Sequence, residues 1–414
     1  MLRVRDKFQI ENALREISAA RTINEDGSMS TRGFGGLREY ESYLATALFE
    51  ENRTTAYLKA VVKKAIRTRQ NLELQSFLTD ARRISNQMIR AKYKVVFPIH
   101  DCGEIIVGKR KSRGVWINFD PTSNSQFMQS VRRNRQSQVG SNNFDHGANL
   151  QEYRDLPLAV VSVDAANASD AFEQAEAAIS TDLGLVSLFL YRGRSIIPEN
   201  PRTPIARCII APHMTVHSPS GALSSQQYWF NHWPQEVRRA GIPADRVTKL
   251  LRIVVQYREN LSKLPWKQTA EIALAQHYEA FSKPDGEAAF LGGWRVLETI
   301  GGPNFTKSDR LVSRAASFFR DTDYHRDLGR HLQFRRNSVA HGKPIAANDD
   351  ETVAFQMREF IAPFMWHFIS NPFQFRSLDE LWSFCDADTE RKDRVRKVHI
   401  LKSAAKFRNE SEYP

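Results

Sequence analysis

From residue 244 to residue 370 apolar side chains recur at helical spacing in one segment after another, and this run narrows the possible folds more than any other feature. The segments are 245–263, 267–282, 286–300, 324–341 and 350–370. Phe290, Trp294 and Leu297 form one apolar stripe, and Val353, Met357, Phe360, Phe364 and Phe368 form another. Gly301-Gly302-Pro303 and Gly342-Lys343-Pro344 interrupt the pattern, since glycine after a helix and proline soon after it are stop signals. Helices with one apolar stripe and short connections bury those stripes against one another, so residues 244–371 are expected to form a helical bundle.

The preceding part is mixed. Residues 1–92 read as helical, with Tyr43, Leu44, Ala47 and Leu48, the stretch 57–66, and Phe77, Ala81, Ile84, Met88 and Ala91 at helical spacing. Residues 93–220 change period. Val95 to Ile99, Gly114 to Phe119, Leu158 to Val163 and Ile205 to Met214 read as strands, and a helix opens at Ala168-Ser169-Asp170. Residues 121–150, rich in Ser, Asn, Gln and Arg, read as a surface loop. The expected class is multi-domain α+β, which 414 residues accommodate as two or three domains.

Fifty-nine Lys and Arg against 47 Asp and Glu give a net charge of +12, which favours phosphate-rich partners. Eight of the cations lie in 391–408, inside a basic tail over 391–414, which reads either as a solvated end or as an electrostatic arm for nucleic acid. Without a long apolar run or an apolar leader, a soluble cytoplasmic protein with no membrane partner is expected. Cys102, Cys208 and Cys385 are odd in number and widely spaced, which predicts neither a disulfide framework nor a zinc site.

The segment carrying chemistry is Arg336-Asn337-Ser338-Val339-Ala340-His341. On a helix Arg336 and His341 lie about 7.5 Å apart along the axis and roughly 140° apart around it. Leu328, Leu332 and Val339 face the core, while Asn337 and His341 stack on the other side beside Phe334. Imidazole moves protons near neutral pH, and guanidinium binds phosphate through a planar fork. Together they suit cleavage of RNA by its own 2′-hydroxyl, with His341 handling a proton and Arg336 stabilising charge on the phosphate. A two-fold dimer would supply a second histidine. Alternatively, Arg336 and His341 merely complement the helix dipole.

This segment resembles the RNxxxH form of the Rx4–6H motif of the HEPN superfamily. The stretch from Phe290 to Glu298 is similar to the helix preceding that motif in abortive-infection proteins. The resemblance covers residues 244–370. It implies a metal-independent endoribonuclease without cofactors, acting on RNA as a homodimer in a toxin or anti-phage role. By the same resemblance Arg336 and His341 are catalytic, Asn337 assists them, and Glu298 orients the motif. Arg335 and Lys343 flank it as nucleic-acid-binding candidates. A nuclease of this type needs restraint, and residues 1–240 are expected to respond to a regulatory protein or nucleic-acid trigger. The rivals are a non-catalytic nucleotide or nucleic-acid binder and a dimerising scaffold subunit.

Other clusters carry less. His213 and His217 have metal-ligand spacing but lie in a strand-and-turn segment. Gly33-Phe34-Gly35-Gly36 lacks the lysine of a phosphate loop, and His100-Asp101-Cys102 is contiguous rather than assembled in space. The cationic stretches at 63–64, 82–83, 109–113 and 132–135 suit either a solvated face or a nucleic-acid groove.

Overall fold

The computed structural model describes residues 1–6, 8–24, 28–31, 36–100, 108–119, 121–122, 125–141, 156–193, 203–231, 244–303, 305–343, 345, 349–388 and 390–408. The chain is α+β and divides into two compact units, residues 1–180 with 208–235, and residues 181–207 with 236–414. Residues 1–92 and most of 93–220 therefore share one unit, while 181–207 belong with the C-terminal helices.

The first unit begins with β1 (Arg3–Val4), α1 (Glu11–Ala20), β2 (Arg21–Ile23), β3 (Met29–Thr31), α2 (Gly36–Ala47), β4 (Leu48–Phe49), α3 (Thr55–Ala65) and α4 (Leu74–Gln87). Leu14, Ile17, Leu44, Tyr57, Val61, Phe77 and Ile84 join in one core. The Thr54 side chain caps α3 by accepting from the Tyr57 amide.

A sheet follows, from β5 (Ala91–His100), β6 (Lys109–Ser112), β7 (Val115–Asn118), β8 (Leu158–Ala165), β9 (Ile209–Ile210) and β10 (Thr215–His217). Its order is β10-β5-β8-β7-β6, with β9 also on β5, and every pairing is antiparallel. Pro98 sits where pairing with β10 has stopped and pairing with β9 begins, so its missing N–H costs no ladder bond. The segment read as a loop over 121–150 instead holds α5 (Gln126–Ser141). Met128 and Val131 of that helix are buried and packed on Val96 and Val160. The other sheet face lies under α6 (Ala168–Phe189), where Phe172 stacks on Phe97 at 5.9 Å.

Three further expectations are corrected. Between Ile205 and Met214 the extended strand is limited to β9, with single antiparallel bridges at Ala206 and Met214 on either side of it. Ala168-Ser169-Asp170, expected to supply the cap of α6, lie inside the helix, and the capping side chain is that of Asn167, whose Oδ1 accepts from the Asp170 amide. Cys208 is disulfide-bonded, while Cys385 is free and buried. Cys102, Asp101 and residues 33–35 lie outside the described residues.

The second unit contains α7 (Ala244–Lys263), α8 (Lys267–Phe281), α9 (Gly286–Gly301), α10 (Ser308–Ala316), α11 (Thr322–Ala340), α12 (Asp350–Ser370), α13 (Leu378–Cys385) and α14 (Arg391–Phe407). α9 packs between α8 and α12 and buries Phe290, Trp294, Leu297 and Ile300. Met357, Phe360, Phe364 and Phe368 are buried on α12, as their stripe predicts. Residues 181–207 add polar ties. Asp182 pairs with Arg258 at 2.9 Å, Ser187 Oγ meets His277 Nδ1 at 3.2 Å, and Arg358 Nη2 donates to the Leu188 carbonyl at 2.9 Å. Among the described residues, no helix is long and apolar enough to cross a membrane.

Arg314, almost wholly buried on α10, donates to both carboxylate oxygens of Asp386 at 2.8 and 2.6 Å, and Arg310 adds a contact at 2.6 Å. The Arg314 hydrogen bonds, followed by those of Arg310, push the Asp386 carboxyl down to about 2. Its folded value lies below the unfolded one, so the associated stability is present above pH ~4 and is lost as pH falls from about 4 towards 2. Asp386→Asn should cost about 1 kcal/mol at neutral pH, because Asp386 is exposed and water screens the pair. That is less than for a fully buried pair. Urea unfolding at pH 7 and pH 3 should show the difference between wild type and variant shrinking with acidity.

Candidate active site

The site residues sit on two helices of the second unit. α11 approaches its neighbours closely because Gly329 carries no side chain; a Cβ there would lie 2.5 Å from Val312 Cγ1 and 2.7 Å from the Phe360 ring. Only Gly329 and Leu332 of this helix are buried. Leu328 and Val339 are half-buried, so the expected core face is narrower than their spacing suggests. Tyr324 is 62% exposed and Phe334 69%.

The end of α11 is fixed by its last residues. Gly342 has φ +77°, its N–H donates to the Val339 carbonyl at 2.9 Å, and the Lys343 N–H reaches back to the Ser338 carbonyl at 2.9 Å. This is a Schellman closure, which favours glycine in the left-handed position. It makes His341 the C-cap residue, exposed at the rim of the last turn.

Glu298 of α9 reaches the motif. Its Oε1 accepts from Trp294 Nε1 at 3.0 Å and from Arg336 Nη2 at 3.4 Å. Arg336 Nη1 in turn donates to Asn337 Oδ1 at 3.3 Å. The buried Trp294 thus anchors a carboxylate that holds the guanidinium, and the guanidinium holds the amide. About a third of the Arg336 side chain stays exposed, so the fork can still meet a phosphate.

The remaining candidates lie apart from this chain of contacts. Arg335 pairs with Asp349 at 3.3 Å, and Lys343 is exposed beyond the cap. Trp294 was not among the expected site residues, although its i, i+4 spacing from Glu298 marks the pair on a helix. The tail forms α14, in which no residue is buried and Val395, Leu401 and Phe407 stand exposed among the cations.

His213 and His217 face other partners. His213 Nε2 lies 3.1 Å from Gln138 Oε1, while His217 engages the Gly221 carbonyl at 2.9 Å and Thr215 Oγ1 at 2.8 Å. Burial holds His213 down at about 3 and His217 at about 4, so both are neutral at pH 7. Among the described residues, no group of three or more His, Cys, Asp or Glu is placed to hold a metal ion. No family model, curated protein or solved structure matches this chain.

Proposed function

We propose that the chain is a metal-independent endoribonuclease of HEPN type whose cut is made at Arg336 and His341. The observation that carries this reading is the Trp294–Glu298–Arg336–Asn337 chain of contacts reaching the last turn of α11, which the exposed His341 closes by donating its backbone N–H to the Asn337 carbonyl at 3.1 Å. His341 takes the proton of the attacking ribose 2′-hydroxyl as its oxygen bonds to phosphorus. Arg336 balances the charge gathering on the phosphate oxygens. The bond to the 5′-oxygen then breaks, and that oxygen receives a proton from the His341 of a second copy. The products are a 2′,3′-cyclic phosphate and a 5′-hydroxyl. Tyr324 and Phe334, exposed on the same helix, support pairing of two copies along α11. In this proposal residues 1–240 restrain a toxin or anti-phage effector until a trigger arrives.

The test is incubation of purified full chain with RNA in excess EDTA. Cleavage that persists in EDTA and leaves 2′,3′-cyclic phosphate ends is the expected result. RNA that stays intact even when the chain is expressed to the point of arresting growth would sink the assignment. One observation favours a second reading, a non-catalytic RNA binder: the exposed cations of α14 would hold RNA whether or not it is cut. Binding without cyclic ends, unchanged by loss of His341, would select it.

A further inference from the structure

The sheet of the first unit carries a cationic face that the nuclease site does not use. Cross-strand partners share a face, so the register defines three rows. Lys92 lies opposite Asp164. Lys94, Ser162, Trp116 and Lys111 form a row across β5, β8, β7 and β6. Val96, Val160, Asn118 and Lys109 form the next. α5 covers Val96 and Val160. Lys92, Lys109 and Lys111 are exposed, and Trp116 is 49% exposed.

Like charges on neighbouring strands repel, and a sheet shaped for stability alone sets acids opposite them. Here Asp164 is the one acid in the three rows. Lys94 is half-buried with its ammonium on Ser162 Oγ at 2.6 Å, and its pKa is lowered first by burial and then by Lys109 and Lys92. The lysines are therefore close enough to feel one another. Lys109 Nζ rests 5.1 Å from the centre of the Trp116 ring. Lys94 and Lys111 are three strand spacings apart, about 14 Å, which is wider than one phosphate.

We propose that this face binds single-stranded nucleic acid, with Lys92, Lys94, Lys109 and Lys111 on the phosphates and a base stacked on Trp116. A single strand fits better than a duplex, whose bases stay stacked on each other and cannot lie on an exposed ring. The incoming base displaces the Lys109 ammonium from the ring towards a phosphate. The proposal stands independently of the nuclease reading.

The test uses the full chain carrying His341→Ala, so that the probe is not consumed. Labelled uridylate and thymidylate strands of roughly 12 nucleotides are compared with an RNA duplex of equal length. Replacing Lys92, Lys109 and Lys111 together by Gln should reduce the slope of log affinity against log salt by about 2. Trp116→Leu should weaken single-strand binding about 5- to 150-fold at constant salt and leave the slope alone. A 5-iodouridine strand should crosslink to Trp116, read by mass spectrometry, which also guards against a variant that merely misfolds. An unchanged slope in the triple variant, duplex binding as tight as single-strand binding, or crosslinks confined to residues outside the sheet would each overturn the proposal.

Discussion

His341→Ala should reduce RNA cleavage by about 10²–10⁴-fold, the range expected when a positioned acid–base group is removed. The ring is exposed at a cap closed by backbone bonds of Gly342 and Lys343, so the substitution leaves the fold intact. Thermal unfolding should therefore be nearly unchanged while the rate collapses. Substrate affinity should change little, because Arg336 and the surrounding cations remain. If two copies share one cleft, mixing His341→Ala with wild type should lower activity more than dilution alone. Equal cleavage by variant and wild type would remove His341 from the chemistry.

Trp294→Ala should cost about 3–5 kcal/mol in stability, the usual range for deleting a buried large aromatic. The loss has two parts. The indole fills space between α9 and its neighbours, and its Nε1–H is hydrogen-bonded to Glu298. Trp294→Phe separates them. It keeps most of the packing, removes the donor, and should cost only about 1–2 kcal/mol. If Glu298 positions Arg336, cleavage by Trp294→Phe should fall well beyond what that small destabilisation explains, and Glu298→Gln should reproduce the defect. Wild-type rates in both variants would show that Arg336 needs no carboxylate behind it. Urea unfolding and cleavage on the same preparations make the comparison.

The helices with a broad apolar stripe were legible from sequence because burial imposes a period. α8, α9 and α12 lie within a residue or two of the expected bounds. Elements that bury little left no such signal. α5 buries Met128 and Val131 amid polar residues, and α14 buries nothing, so neither showed as a helix. β6 was hidden as a cationic cluster because it is an edge strand whose alternate residues face water. α10 follows the Gly-Gly-Pro break and is short. The motif on α11 was legible as residues, and Glu298 by resemblance. The Arg335–Asp349 pair was not, because it depends on how two helices meet.

Residues 181–207 are made before the helices of the unit they belong to. Leu188 is synthesised 170 residues before Arg358, which holds its carbonyl. At a ribosomal rate of about 5–20 residues per second the interval is roughly 10–30 s. Leu183, Leu185, Val186 and Leu188, all buried in the finished fold, are made before any of α7 to α14. The nascent chain thus carries an open apolar helix end while the rest of its unit is still being translated, and holding chaperones have that interval in which to act.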